Sequence, residues 1–282
     1  MSSKSLKPIR GGEVLSICIL LILVVFLAEG HLTYFDIHTL FMVIPTAAFF
    51  RHWRRQAGAM SITRGLGGIL LLALLATIWT MPWDNLMVLW GVWTYPDEVV
   101  LGKVFYIPIE EQLFFVIQPL FTGMWFLMLY PRGLSRPGRD SLLASRLISF
   151  TFALLLGLFA YIQCASPTWL YLGSFLAWFS IPIAIQWGFG SHLLLGWWRQ
   201  MILGTLPPTL YLCVLDSFAI DHRVWSISSE HVVGLYVGAL PIEEVVFFLF
   251  TNLLVIQGLA LLYEILERRS LTINREAALL ST

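Results

Sequence analysis

Apolar runs long enough to cross a bilayer recur along this chain, and they leave few folds open to it. Runs at Val14–Ala28, Ile37–Phe50, Leu66–Met81, Tyr106–Tyr130, Leu147–Gln163, Trp169–Trp187, Met201–Leu215 and one ending near Tyr263 carry almost no charge. Hydrocarbon offers backbone groups no water, so only helices and closed barrels span it, and apolar runs of this length indicate helices. Charged residues form 12% of the 282 residues, against roughly a quarter in soluble domains. The expected fold class is all-α: a polytopic integral membrane helical bundle of about eight spans. Taken alone, Val14–Ala28 also reads as a signal peptide. The segment Trp83–Tyr106 reads as an outer loop, a re-entrant piece or the start of a kinked helix, and a count of seven spans stays open with it.

The basic residues support the even count. Of seventeen Lys and Arg, all but Lys103 and Arg223 fall in the two tails or in the loops after the second, fourth and sixth runs. The alternate segments collect acids instead, among them Asp84, Asp97, Asp216 and Glu230. Positive charge stays on the cytoplasmic side. The expected location is therefore the cell (plasma or inner) membrane, multi-pass, with both termini cytoplasmic. The formal net charge is zero, so nothing indicates nucleic acid.

One word occurs twice. Pro108-Ile109-Glu110-Glu111 is followed by Phe114-Phe115, and Pro241-Ile242-Glu243-Glu244 by Phe247-Phe248. Pro45 matches Pro182, Asp84 matches Asp216, and Trp93 matches Trp225, with nine residues from Asp to Trp in both halves. Matches in the same order mean an internal repeat, expected as 1–135 and 136–282. Four spans per repeat is an even number, so the two halves would point the same way, like the parallel repeats of some transporters.

Carboxyl pairs in apolar sequence are costly in a membrane and mark a functional site by default. Proline suits the first helical position, which places both Glu pairs in a first helical turn. There the helix N-terminus favours the carboxylate, while dry surroundings favour the neutral acid. An acid kept protonated can give its proton to an electron-rich substrate. A plainer reading makes each pair a helix cap plus an interhelical hydrogen bond, and its recurrence in both halves weighs against that. Phe114, Phe115, Phe247 and Phe248 suit ordinary helix packing. Trp90, Trp93 and Trp225 suit an interfacial belt, and equally a set of π faces around developing positive charge.

Other chemistries lack their residues. The six His show no metal-ligand spacing, and Cys18, Cys164 and Cys213 stand apart, so no metal is expected. No Gly-rich dinucleotide motif or Walker loop is present, and no cofactor is expected. Asp216 and Asp221 stand alone, not as the Asp-rich pairs that hold magnesium and a diphosphate. The Phe pairs replace the Arg that follows Glu-Glu in CAAX-type membrane proteases.

Two Pro-x-Glu-Glu-x-x-Phe-Phe words in a duplicated membrane chain resemble the membrane-integral lycopene cyclases, over essentially the whole chain. That family occurs as two small subunits in some bacteria, as fused single chains, and joined to a phytoene synthase in fungi. This chain is expected to be the standalone fused form. The resemblance implies a lycopene β-cyclase acting on a bilayer-dissolved polyene without net redox change. Glu110, Glu111, Glu243 and Glu244 would supply acid and base, helped by Asp84 and Asp216. Phe114, Phe115, Phe247, Phe248, Trp90, Trp93 and Trp225 would hold the polyene and stabilise its cation. Membrane lipid and other carotenoid-pathway enzymes are the implied partners. A hydratase or prenyltransferase-like enzyme and a proton-coupled transporter are the competing readings.

Overall fold

The computed structural model describes residues 32–56, 59–130, 134 and 143–280, without the side chains of 59–61 and 269–280. The expected run Val14–Ala28 and most of the loop between the repeats lie outside the described residues. Nearly everything described is helical. The chain enters through α1 (Tyr34–Ile37), a π-helical stretch (His38–Val43) and α2 (Ile44–Arg54) in direct succession. Then come α3 (Ala59–Leu89), α4 (Ile109–Leu129), α5 (Leu143–Gln163), α6 (Leu170–Gly196), α7 (Trp198–Asp221) and α8 (Ile242–Leu280). Among the described residues six helical segments are long and apolar enough to cross a membrane: Ile62–Leu89, Ile109–Leu129, Leu143–Gln163, Pro167–Gly196, Trp198–Asp221 and Ile242–Arg268.

Two expectations shift. The third run does not stop at Pro82; α3 continues through it to Leu89 and carries Asp84 inside the helix. Segment 90–108 is then a folded loop, with β1 (Trp93–Thr94), a 3-10 turn at Asp97–Val99, β2 (Lys103–Val104) and β3 (Ile107–Pro108). In addition, Pro108 precedes the first helical residue with extended backbone, one position earlier than expected.

Proline inside a helix removes one N–H and frees the carbonyl four residues back. In two places a neighbouring helix satisfies that carbonyl, as helices in lipid require. Pro45 frees Phe41, whose oxygen accepts from the Tyr211 hydroxyl at 2.7 Å. Pro207 frees Leu203, whose oxygen accepts from Trp125 Nε1 at 3.2 Å. The pair α5–α6 packs through small residues: a Cβ on Gly157 would lie 2.0 Å from Ser180 Oγ, and one on Gly173 2.8 Å from the Ala160 carbonyl oxygen. Close backbone approach of this kind is how helices associate without a hydrophobic drive.

The outer loops correspond. After α3 the chain turns at Gly91 (φ 75°), and after α7 it turns 132 residues later at Arg223 (φ 57°). Both turns close the same way, Val92 N–H to the Met87 carbonyl and Val224 N–H to the Ala219 carbonyl, each 2.9 Å. A second hairpin follows each: β2–β3, and β5 (Tyr236–Val237) with β6 (Leu240–Pro241). Between them β1 pairs antiparallel with β4 (Ser226–Ile227), Thr94 opposite Ser226. Since Ser226 holds Thr94's place in the other half, the pairing brings one residue against its own counterpart, 2.6 Å between hydroxyls. The loops meet there as a two-fold pair.

Candidate active site

Each Glu pair divides its work between outside and inside. Glu110 Oε1 accepts from the Leu101 backbone N–H, and Glu243 Oε1 from the Val233 backbone N–H, both at 2.7 Å. Ile109 and Ile242 then donate their N–H groups back to the carbonyls of Gly102 and Leu235. The first Glu of each pair thus ties an outer loop to the start of its helix. The second, about 100° further round the helix, points into the bundle.

Glu111 Oε2 accepts from the hydroxyls of Tyr34 and of Tyr95, the latter at 3.1 Å. Glu244 Oε1 accepts from the Tyr171 hydroxyl at 2.8 Å and from Trp93 Nε1 at 3.0 Å. Tyr34 owes its place to the start of α1, where Thr33 and Asp36 form a reciprocal cap. Burial and the Glu111 carboxyl push the Tyr95 phenol, which sits in the outer loop, well above its ordinary range. It therefore stays a hydroxyl donor. Trp93 reaches across the β1–β4 pairing into the second half. Trp225, nine residues after Asp216 as Trp93 is after Asp84, turns instead to Asp216, with Nε1 2.8 Å from Oδ1.

One cavity of about 50 Å³ joins these groups, lined by Tyr34, Ile37, His38, Trp93, Tyr95, Glu111, Phe114, Leu212, Leu215, Asp216, Trp225, Glu244, Phe247 and Phe248. Asp84 lies beside it, near enough to interact with both Glu111 and Glu244. All six expected acids are buried, none more than 8% exposed. Both Asp84 oxygens, Asp216 Oδ2, Glu110 Oε2 and Glu243 Oε2 have no hydrogen-bond partner among the described residues. Buried polar atoms without partners are rare and call for an explanation.

Of the expected site residues, the fold gathers Glu111, Glu244, Asp216, Phe114, Phe247, Phe248, Trp93 and Trp225 at one cavity. Glu110 and Glu243, one residue earlier, turn to the loop N–H groups of Leu101 and Val233. Phe115 is buried against Phe114 but does not face the cavity. Trp90 is 45% exposed just after α3 and points away. Tyr34, Tyr95, Tyr171 and His38 belong to the constellation although motif reading passed over them. His38 stacks on Phe114 (ring centroids 5.8 Å apart) and meets Tyr34 at a tilt (4.6 Å). Tyr34 and Tyr171 are 137 residues apart, the same offset as Pro45 and Pro182, a signal that could have found them. Among the described residues no group of His, Cys, Asp and Glu has the geometry to hold a metal ion.

Chemically the arrangement is a buried, ring-lined chamber with carboxyls from both parts of the chain. One carboxyl can give a proton while another takes one, and the ring faces can stabilise a cation between them.

Curated proteins similar to this chain agree in kind. A lycopene beta-cyclase of Halobacterium salinarum is 35% identical over 206 residues, covering 71% of this chain and 84% of that protein. A bifunctional lycopene cyclase/phytoene synthase of Arthroderma gypseum is 34% identical over 222 residues, 69% of this chain and 36% of that protein. The corresponding protein of Gibberella fujikuroi is 33% identical over 199 residues, 68% of this chain and 34% of its own length. No protein-family model matches the chain, and no solved structure does.

Proposed function

The chain belongs to the lycopene cyclase family and cyclises lycopene, and we propose that it does so at the single cavity between its halves, with Glu111 and Glu244 as the proton-handling pair. The observation that carries this is the meeting of Glu111, Asp216 and Glu244, one half facing the other, on one ring-lined hollow.

The reaction is an isomerisation, and its protons balance. A carboxylic acid protonates the terminal double bond of the polyene, leaving a tertiary cation. The next suitably placed double bond attacks that cation and closes a six-membered ring, which moves the charge onto a ring carbon. A carboxylate removes a proton from the adjacent carbon and restores the double bond, giving the β-ring. One proton enters and one leaves, and no redox partner takes part. Tyr34 and Tyr95 hold Glu111 in place, and Tyr171 and Trp93 hold Glu244. Asp84 and Asp216 place two further carboxyls beside the same hollow. The faces of Phe114, Phe247, Phe248 and Trp225 contribute about 0.5–2 kcal/mol each to the cation, toward the upper figure where water is absent. Water would capture the cation as an alcohol, so a dry, tight chamber is itself part of the chemistry.

The two halves, 1–135 and 136–282, are internal repeats in this reading, supported by the matched loops and anchors. The distribution of Lys and Arg supports the cell membrane, with both termini on the cytoplasmic side. Surrounding lipid would be the medium from which the substrate arrives.

The test is pigment analysis of lycopene-accumulating cells that express the chain. Cyclic carotenes are expected from the wild type. Glu111→Gln and Glu244→Gln should each lower ring formation by about 10²-fold or more, the scale of a lost general acid or base. Wild-type pigment from either variant, with protein shown in the membrane, would remove these two residues from the chemistry.

A further inference from the structure

The repeat supplies the Glu, Asp, Trp and first Tyr of the site twice, yet the hollow opens beside Tyr34, His38 and Glu111 and has no equivalent beside Tyr171 and Phe175 among the cavities described. Around Glu111 it is bounded by His38 of the π-helical stretch and by Leu215, next to Asp216 on α7. The repeat offsets that relate Tyr34 to Tyr171 and Asp84 to Asp216 give the counterparts of these two residues: Phe175 for His38, and Trp83 for Leu215. Beside Glu244, therefore, two large rings stand in the places that an imidazole and an aliphatic chain take beside Glu111.

Those rings fill the equivalent place. Trp83 is 2% exposed. Its ring lies 5.6 Å from Phe175, 5.6 Å from Phe179, 5.4 Å from Trp93 and 6.0 Å from Phe247, centroid to centroid. Its Nε1 donates to Ser174 Oγ at 3.2 Å, which fixes its orientation. Phe175 and Phe179 stack at 4.4 Å behind it. Interiors packed this way leave no room for a substrate group.

We infer that Trp83 closes one of two duplicated end-group sites, so that the enzyme holds a single reacting end beside Glu111 and Leu215 while the Glu244 side serves that same end. This rests on the cavity being the cyclisation site. Its consequence is that the two ends of one polyene react in separate binding events, with the monocyclic product leaving and re-entering reversed. Leu215 then sets the room for the reacting end, and Trp83 is a filler that does not line the hollow.

The test is a reciprocal substitution series assayed in isolated membranes by initial rate of lycopene loss. Leu215→Phe should slow cyclisation and Leu215→Trp should slow it further, by about 10²-fold, because a displaced reacting group loses its near-attack geometry. Trp83→Phe should stay close to wild type, with monocyclic carotene building up before bicyclic carotene in both. Heat-induced aggregation midpoints of the extracted proteins separate filling from misfolding, since the Leu215→Phe protein is expected to keep the wild-type midpoint. Wild-type rates in both Leu215 variants, or an equal loss in Trp83→Phe and Leu215→Phe, would overturn the inference. So would bicyclic product appearing with no monocyclic precursor. Glu111→Gln serves as the control: if it is active, the proposed site itself fails; if it is inactive while Leu215 is indifferent to size, only the one-sided pocket fails.

Discussion

Tyr34 and Tyr95 show how much of the site lies in single hydroxyls. Each donates to the same Glu111 oxygen and keeps that carboxyl at one place on the cavity wall. Tyr34→Phe keeps the ring and removes the donor, and a hydrogen bond to a charged or developing-charge group is worth about 1.5–3 kcal/mol. The expected result is a fall in initial cyclisation rate of roughly 10–100-fold, with membrane abundance unchanged on immunoblots. For Tyr95 the sign of the pH effect follows from its environment. Burial and Glu111 disfavour the phenolate, so the hydroxyl persists above its ordinary pKa of about 10. Ionisation of the Tyr95 phenol should therefore add no alkaline fall to the wild-type activity profile up to about pH 10. An alkaline fall present in the wild type and absent from the variant would show that Tyr95 ionises. The four acids in two words are evident from the amino-acid sequence, but their division of labour is not. It depends on which neighbour the outer hairpin covers, and hairpin register is a tertiary matter. Trp90 and Trp93 differ for a similar reason. Gly91, at positive φ, reverses the chain between them, sending one ring outward and the other to Glu244.

Among the elements, the outer loops hold the site closed, and two kinds of anchor fix them. Glu110 and Glu243 each accept a loop N–H, a role that Gln can fill through its carbonyl oxygen and Ala cannot. Glu110→Ala should lower stability by about 1–3 kcal/mol, the cost of a buried donor left unpaired. It should be read as a lower heat-aggregation midpoint in detergent and faster protease cleavage within 95–106. Glu110→Gln should regain most of that. A Gln variant as inactive as Glu111→Gln would place Glu110 in the chemistry after all. The helix ends are the second anchor. Gly91 and Arg223 occupy the same left-handed position in the two halves. That conformation costs a non-glycine residue roughly 1–2 kcal/mol, so Arg223→Gly should raise the aggregation midpoint and Gly91→Ala should lower it. Helix existence is legible in the apolar runs; where helices end is not. Pro82 suggests a stop, yet α3 runs on because tertiary packing around Trp83 outweighs one lost hydrogen bond. The π-helical stretch His38–Val43 has no mark in composition at all.

For the whole molecule, the decisive property of the proposed site is that residues 1–135 and 136–282 both contribute to its lining. Glu111, Tyr34 and Tyr95 come from the first half, and Asp216, Trp225 and Glu244 from the second. Trp93 crosses from one to the other to hold Glu244. The β1–β4 pairing sits where the loops meet, so correct placement of Trp93 requires both loops at once. The repeated words announce two similar halves; that they build one chamber, and a lopsided one, emerges only from the crossing of Trp93 and from the bulk of Trp83. A covalent link between halves adds effective concentration without adding contacts, and the junction near residue 135 carries none of the site residues. Two chains, 1–135 and 136–282, expressed together in lycopene-accumulating cells should therefore form cyclic carotenes, at a rate that depends on how much of each half reaches the membrane. Either half alone should leave lycopene unchanged, since it has a carboxyl with no partner across the cavity. The two chains should also copurify, and Trp93→Phe in the first should weaken activity more than copurification, because it removes a donor to Glu244 and leaves the strand pairing in place. Ring formation by one half alone would mean that each half holds a full acid–base set, and the shared chamber would have to be abandoned.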